Sequence, residues 1–100
     1  MNFDNFTIKS QEAIVKAQAI ALASQHQAIE NVHLLSGIIA VDENFVPLLI
    51  RKLNGNIERI NHKADELLTE FPRVVGGEQY LSNGVRNTLQ KATEFMKELG

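Results

Sequence analysis

The sequence predicts an all-α fold, and three observations carry that prediction. Apolar residues recur at three- and four-residue spacing along most of the chain. Only two prolines and six glycines interrupt its 100 residues. Residues suited to helix capping stand just ahead of the periodic runs, at Thr7, Asn56 and Ser82.

The first helix is predicted from Thr7 to about Ser24. Its expected inward face is Ile8, Gln11, Ile14, Val15, Gln18, Ala21 and Leu22, with Ala17 beside it. Alanines crowd this stretch. They favour helix and let a neighbouring helix approach closely. Gln25–Ala28 reads as a turn. The second helix begins at Glu30 or Asn31 and runs to about Val41. Leu34, Leu35, Ile38 and Ile39 make it apolar around most of its circumference, the mark of a central helix. Asp42-Glu43-Asn44 ends it.

The third helix is expected from Asn44 to Leu53, with Pro47 in its first turn, where a missing N–H costs little. Leu49 and Leu53 continue a face begun at Phe45 and Val46. Asn54-Gly55 is a stop signal. The fourth helix is capped by Asn56 and carries a stripe of Ile57, Ile60, Ala64, Leu67, Leu68 and Phe71, stopped by Pro72. Pro72 to Tyr80, with Gly76-Gly77 inside it, reads as a linker. The fifth helix, capped by Ser82, has a strict apolar seam of Val85, Leu89, Ala92, Met96 and Leu99.

The chain also resembles itself. Shifted by 75 residues, Phe6-Thr7 falls on Leu81-Ser82, Ile14 on Leu89, and Lys16-Ala17 on Lys91-Ala92. Each copy opens with an apolar residue, a hydroxyl cap and an amphipathic helix. This divides the chain into a four-helix unit over residues 1–71, a linker over 72–80, and the first helix of a second unit over 81–100.

Composition excludes several function classes. The net charge is −2 and the pI near 5.9, which lacks the basic footprint of a nucleic-acid binder or a membrane-surface protein. Cysteine is absent, so there is no disulfide framework, thiolate metal site or thiol nucleophile. No apolar run is long enough to span a bilayer, and Met1 to Thr7 does not read as a signal peptide. The expected location is the cytoplasm.

Motifs for catalysis are missing. His26, His33 and His62 include no pair four apart on one helix face, so no metal site is expected; packing or capping is the expected role of His33. Gly76-Gly77 is not followed by the Lys-Ser/Thr of a phosphate loop. The carboxylate pairs Asp42-Glu43 and Asp65-Glu66 fall at solvated positions. A helix-turn-helix reader built from the second and third helices would face phosphates through the acidic turn 41–44. Thr7 and Ser82 remain. Their ordinary role is N-capping, and the alternative is that two repeat-related helix starts offer N–H groups to a ligand.

Asn5-Phe6-Thr7-Ile8-Lys9-Ser10-Gln11-Glu12-Ala13, Ile29-Glu30-Asn31-Val32-His33-Leu34-Leu35, Val46-Pro47-Leu48-Leu49-Ile50-Arg51-Lys52-Leu53, and Phe71-Pro72-Arg73-Val74 followed by Gly76-Gly77 and Leu81-Ser82 together resemble the N-terminal domain of the Clp-type AAA+ disaggregases. The resemblance runs in order over nearly the whole chain. Asn31 departs from the family's usual proline. The family has two four-helix repeats, and this chain stops after the first helix of the second.

The resemblance implies a helical pseudo-repeat without catalytic activity of its own. Such a domain captures apolar segments of unfolded or aggregated proteins and passes them to an ATP-driven ring. It further implies substrate-handling roles for Thr7, Glu30 and Ser82, and an apolar groove lined by Leu81 and Leu89. No cofactor is expected in this chain; ATP and Mg belong to the AAA+ modules of the parent, expected to be a homohexamer with co-chaperone partners. An adaptor-docking domain of a Clp protease ATPase is the alternative. Because exposing a large apolar side chain costs about 1.5 kcal/mol or more, the fifth helix is expected to fold back on the first four or to pair with a second copy, giving a dimer. The end at Gly100 is then expected to be a cut and not a domain boundary.

Overall fold

The structure, a computed structural model, describes residues 6–99 except the side chain of Leu99. Asn5 of the N-terminal motif, Gly100, and the Leu99 end of the fifth-helix seam lie outside the described residues. Among the described residues five helices follow one another: α1 (Ile8–Ala23), α2 (Asn31–Val41), α3 (Phe45–Lys52), α4 (Ile57–Leu68) and α5 (Asn83–Leu99). Two short strands, β1 (Ala28–Ile29) and β2 (Tyr80–Leu81), pair in parallel, Ala28 opposite Tyr80 and Ile29 opposite Leu81. The fold is the all-α pseudo-repeat that the sequence predicts. The strand pair was not foreseen; two-residue strands carry no periodic signal.

α2 is the central helix. It packs on α1, α4 and α5, and its residues His33, Leu34 and Gly37 are buried. Its approach to α1 is set by Gly37. A Cβ there would collide with the backbone carbonyl of Ala13 and stand 3.0 Å from the amide nitrogen of Ala17. The residues α1 buries are Ala13, Ile14, Ala17 and Ala21. Ala13, Ala17 and Ala21 lie one turn apart, on the row that admits a second backbone.

That geometry corrects the predicted face of α1. Ile8, Val15 and Leu22 are exposed, at 75%, 62% and 67%. They form a seven-residue row on the far side of the helix. Helical spacing alone includes them in the inward face, but the contact with α2 selects for small size.

The core has two neighbouring parts. Ile14, Leu34, Val85 and Leu89 form one, with Phe6 and Ile38 against it. Ala17, Ala21 and Ile29 form the other. Leu81 packs against both. α5 therefore folds back onto α1 and α2 through its first two turns, and Val85 is only 1% exposed. Further along the same seam Ala92 and Met96 are exposed.

The third and fourth helices depart from expectation in detail. No residue of α3 is fully buried, and Phe45, Leu49 and Leu53 of its predicted inward face are exposed. Asp42, placed at the end of α2, also caps α3. Its Oδ1 accepts from the backbone N–H groups of Asn44 and Phe45, which holds its carboxyl below the usual carboxylate range. Asn56 caps α4 as predicted, accepting from the N–H groups of Glu58 and Arg59. α4 ends at Leu68, short of Phe71. A residue before proline avoids helical backbone, and the chain leaves the helix through Thr69 and Glu70, whose N–H groups reach back to Glu66 and Leu67.

Candidate functional site: a groove between two helix starts

Thr7 is the N-cap of α1. Its hydroxyl oxygen accepts from the Ser10 N–H at 3.1 Å and lies 3.0 Å from the Ser10 hydroxyl. The bond between the two hydroxyls uses one of their two protons. Ser82 plays the corresponding part for α5, where its Oγ accepts from the Val85 N–H at 3.1 Å. The two repeat-related positions therefore make the same local structure.

Between α1, α2 and α5 lies a groove of about 300 Å³. Phe6, Ile14, Leu34, Ile38, Leu89, Ala92 and Met96 give it an apolar lining, and the exposed Thr7, Ser10 and Thr88 add hydroxyls. The structure thus brings Thr7 and Leu89 together. Leu81 packs beneath, in the core shared by both clusters, and Ser82 sits at the start of α5. Glu30 stands elsewhere. It precedes α2 and lines a separate cavity of about 230 Å³ with His26, Gln27, Phe71, Pro72, Val74 and Tyr80. A larger, more open cavity of about 680 Å³ lies at the α3–α4 turn, around Asn54 to Lys63, and holds none of the predicted site residues.

Sequence reasoning missed Ser10 and the buried cluster behind Glu30. Ser10 was legible in principle as a hydroxyl three residues after a threonine cap. The cluster was not. His26 and His33 are 5% and 0% exposed, and His26 Nδ1 lies 2.9 Å from His33 Nε2. His33 Nδ1 accepts from the Glu30 N–H at 2.9 Å, so His33 helps to cap α2. The Phe71 ring stacks on His33 and meets His26 edge-on, both at 5.5 Å. Burial pushes both imidazoles below their ordinary value. The nearby Arg73 adds to this at His26. At His33 the His26 ring adds to it, while Glu30 works in the opposite sense. Among the described residues no three His, Cys, Asp or Glu side chains converge as metal ligands, and no single helix is long and apolar enough to cross a membrane.

Comparison with known proteins agrees with this architecture. The Clp repeat (R) N-terminal domain family matches residues 5–100. The chaperone protein ClpB of Bacteroides thetaiotaomicron is 43% identical over 100 residues, which is all of this chain and 12% of that protein. ClpB of Porphyromonas gingivalis is 41% identical over 96 residues, 94% of this chain and 11% of the relative. ClpB of Rickettsia felis is 32% identical over 103 aligned residues, covering all of this chain and 12% of the relative. The chain spans about one eighth of the length of these relatives. With the family matched from residue 5 to the end of the sequence, the chain belongs to the Clp repeat N-terminal domain family.

Proposed function

We propose that this chain is the non-catalytic capture domain of an ATP-dependent protein disaggregase. It binds apolar segments of unfolded or aggregated proteins and delivers them to an AAA+ ring. Residues 1–71 act as the first Clp repeat, 72–80 as the inter-repeat linker, and 81–100 as the first helix of the second repeat. ATP and Mg act in the ring, a homohexamer working with co-chaperones in the cytoplasm.

The observation that carries this reading is the groove at the start of α1, apolar within and hydroxyl-bearing at its exposed positions. Unfolded chains differ from folded ones in exposing apolar side chains together with unpaired backbone. A groove offering apolar contact and a few hydroxyls meets both without demanding a sequence. Its small volume limits the area it can bury, which keeps binding weak and release fast. In this scheme the Thr7–Ser10 hydroxyl pair meets client backbone, Leu89 and Met96 meet client side chains, and Glu30 and Ser82 act at neighbouring positions.

The test uses a permanently unfolded, reduced and alkylated polypeptide and its folded parent as probes. The chain is expected to bind the first and not the second. Met96→Glu puts a charge on an exposed groove position and should weaken binding by roughly tenfold, about 1.4 kcal/mol. In the full-length protein, Thr7→Ala and Glu30→Ala, once circular dichroism shows their helices intact, should slow reactivation of an aggregated client. Equal binding of both probes, or unchanged reactivation in both variants, would overturn the proposal.

A further inference from the structure

The segment between α4 and α5 is strapped to the corner between α1 and α2. Val74 N–H donates to the Gln25 carbonyl at 2.7 Å, Tyr80 N–H to Gln27 at 3.1 Å, and Ser82 N–H to Ile29 at 3.0 Å. All three acceptors lie in residues 25–29. Two side chains of that segment are buried: Ile29, in the core with Ala17 and Ala21, and His26, whose partners are His33 and Phe71.

The hydrogen bonds fix where the protons sit. A backbone N–H can only donate, so His33 Nδ1, facing the Glu30 N–H, is a bare acceptor. A neutral His33 then carries its proton on Nε2 and donates it to His26 Nδ1, leaving the His26 proton on Nε2. The two bonds together need two bare nitrogens among the four. One added proton leaves only one bare nitrogen. Wherever that proton settles, one of the two bonds becomes a donor facing a donor.

We propose that the His26–His33 pair is an acid-sensitive latch. While neutral it holds the 71–82 strap against the α1–α2 corner; on taking up a proton it releases the strap, and with it the seating of Leu81 and the start of α5. The latch belongs to the fold and does not depend on client capture.

Burial sets the direction at the pair, and the charged groups around it modify the size of the effect. Arg73, on the strap, faces His26 and opposes a second positive charge, while Glu30, ahead of α2, favours charge on His33. Asp65 of α4 shares a small cavity with His26 and Arg73. Burial dominates at both rings, so the folded state binds protons less readily than the unfolded state. The latch is intact above the ordinary imidazole value, about 6.5, and loses stability as pH falls through it, because the open or unfolded state gains protons first.

Amide exchange on the whole chain, corrected for the intrinsic pH dependence of exchange and followed from pH 7.5 to pH 5.5, tests this. Protection of Val74, Tyr80 and Ser82 should fall about tenfold further than that of Ala17 and Ala21. Both rings, followed by NMR, should titrate below the ordinary imidazole value. His26→Asn keeps an acceptor where Nδ1 stands and removes one titrating ring, so it should shrink the selective loss, whereas His62→Asn should leave it unchanged. If strap and α1 amides lose protection together, or neither does, the latch is wrong. Rings titrating at the ordinary imidazole value in the wild-type chain would also overturn it, whatever the fate of the variants.

Discussion

α1 and α5 begin alike and end differently. Each starts after an apolar residue and a hydroxyl cap, and each buries the equivalent residues, Ile14 and Leu89. α1 then stays buried through Ala17 and Ala21. α5 emerges after Leu89, and Phe95 is 61% exposed. α5 has the stricter apolar seam in sequence, yet α1 has the more continuous burial. A seam states what a helix could bury; burial depends on whether a partner lies opposite. α1 has α2 along its length, admitted by small side chains. α5 meets α1 and α2 only at its first turns.

The sharpest way to break this contrast is at the glycine that creates it. Gly37→Ala places a methyl group against the Ala13 carbonyl, an obstacle of backbone that cannot rotate away. It should cost about 3 kcal/mol in denaturant unfolding, more than any gain in helix propensity returns. Gly84→Ala in α5 meets the flexible Asn31 side chain at 3.3 Å and should be close to neutral. Equal effects at the two glycines would show that α1 and α5 are held in the same way.

Next in size are the seam positions of α5. Val85→Ala removes buried volume and should cost about 2 kcal/mol. Met96→Ala, on the same seam two turns beyond Leu89, should change stability by less than about 0.5 kcal/mol. A larger loss at Met96 would mean that the outer half of α5 is covered in solution, as in the expected dimer, and sedimentation would then show a mass that rises with concentration. The caps fall between these two seam positions: Thr7→Ala and Ser82→Ala should each cost about 1 kcal/mol, and nearly the same amount. A marked difference between them would break the equivalence of the two helix starts.

Much of this was legible in the sequence because it rests on local chemistry. Thr7, Asn56 and Ser82 cap the helices they were expected to cap, and Asn54, with φ 63°, provides the left-handed stop before Gly55. What was not legible depends on partners distant in sequence. The exposed Ile8, Val15 and Leu22 could be recognised only once α2 was known to choose alanines. The His26–His33 bond joins residues that do not share a helix, across the turn before α2. The strand pair sets residues 28–29 beside residues 80–81 and has no pattern of its own. The candidate site divides too. Of the residues that the resemblance singles out, Thr7 and Leu89 both line the groove, whereas Glu30 lines a different cavity.

The parallel pairing of Ala28 with Tyr80 encloses α2, α3 and α4 in one closed loop of chain. Closing so long a loop is an entropic cost that only later contacts offset, while the α1–α2 hairpin closes over a short turn. Assembly is therefore favoured in one direction: the alanine-lined hairpin first, the strap and α5 last. The groove takes form only at that final step, so a chain still emerging or partly unfolded presents α1 and α2 without the α5 wall of the groove.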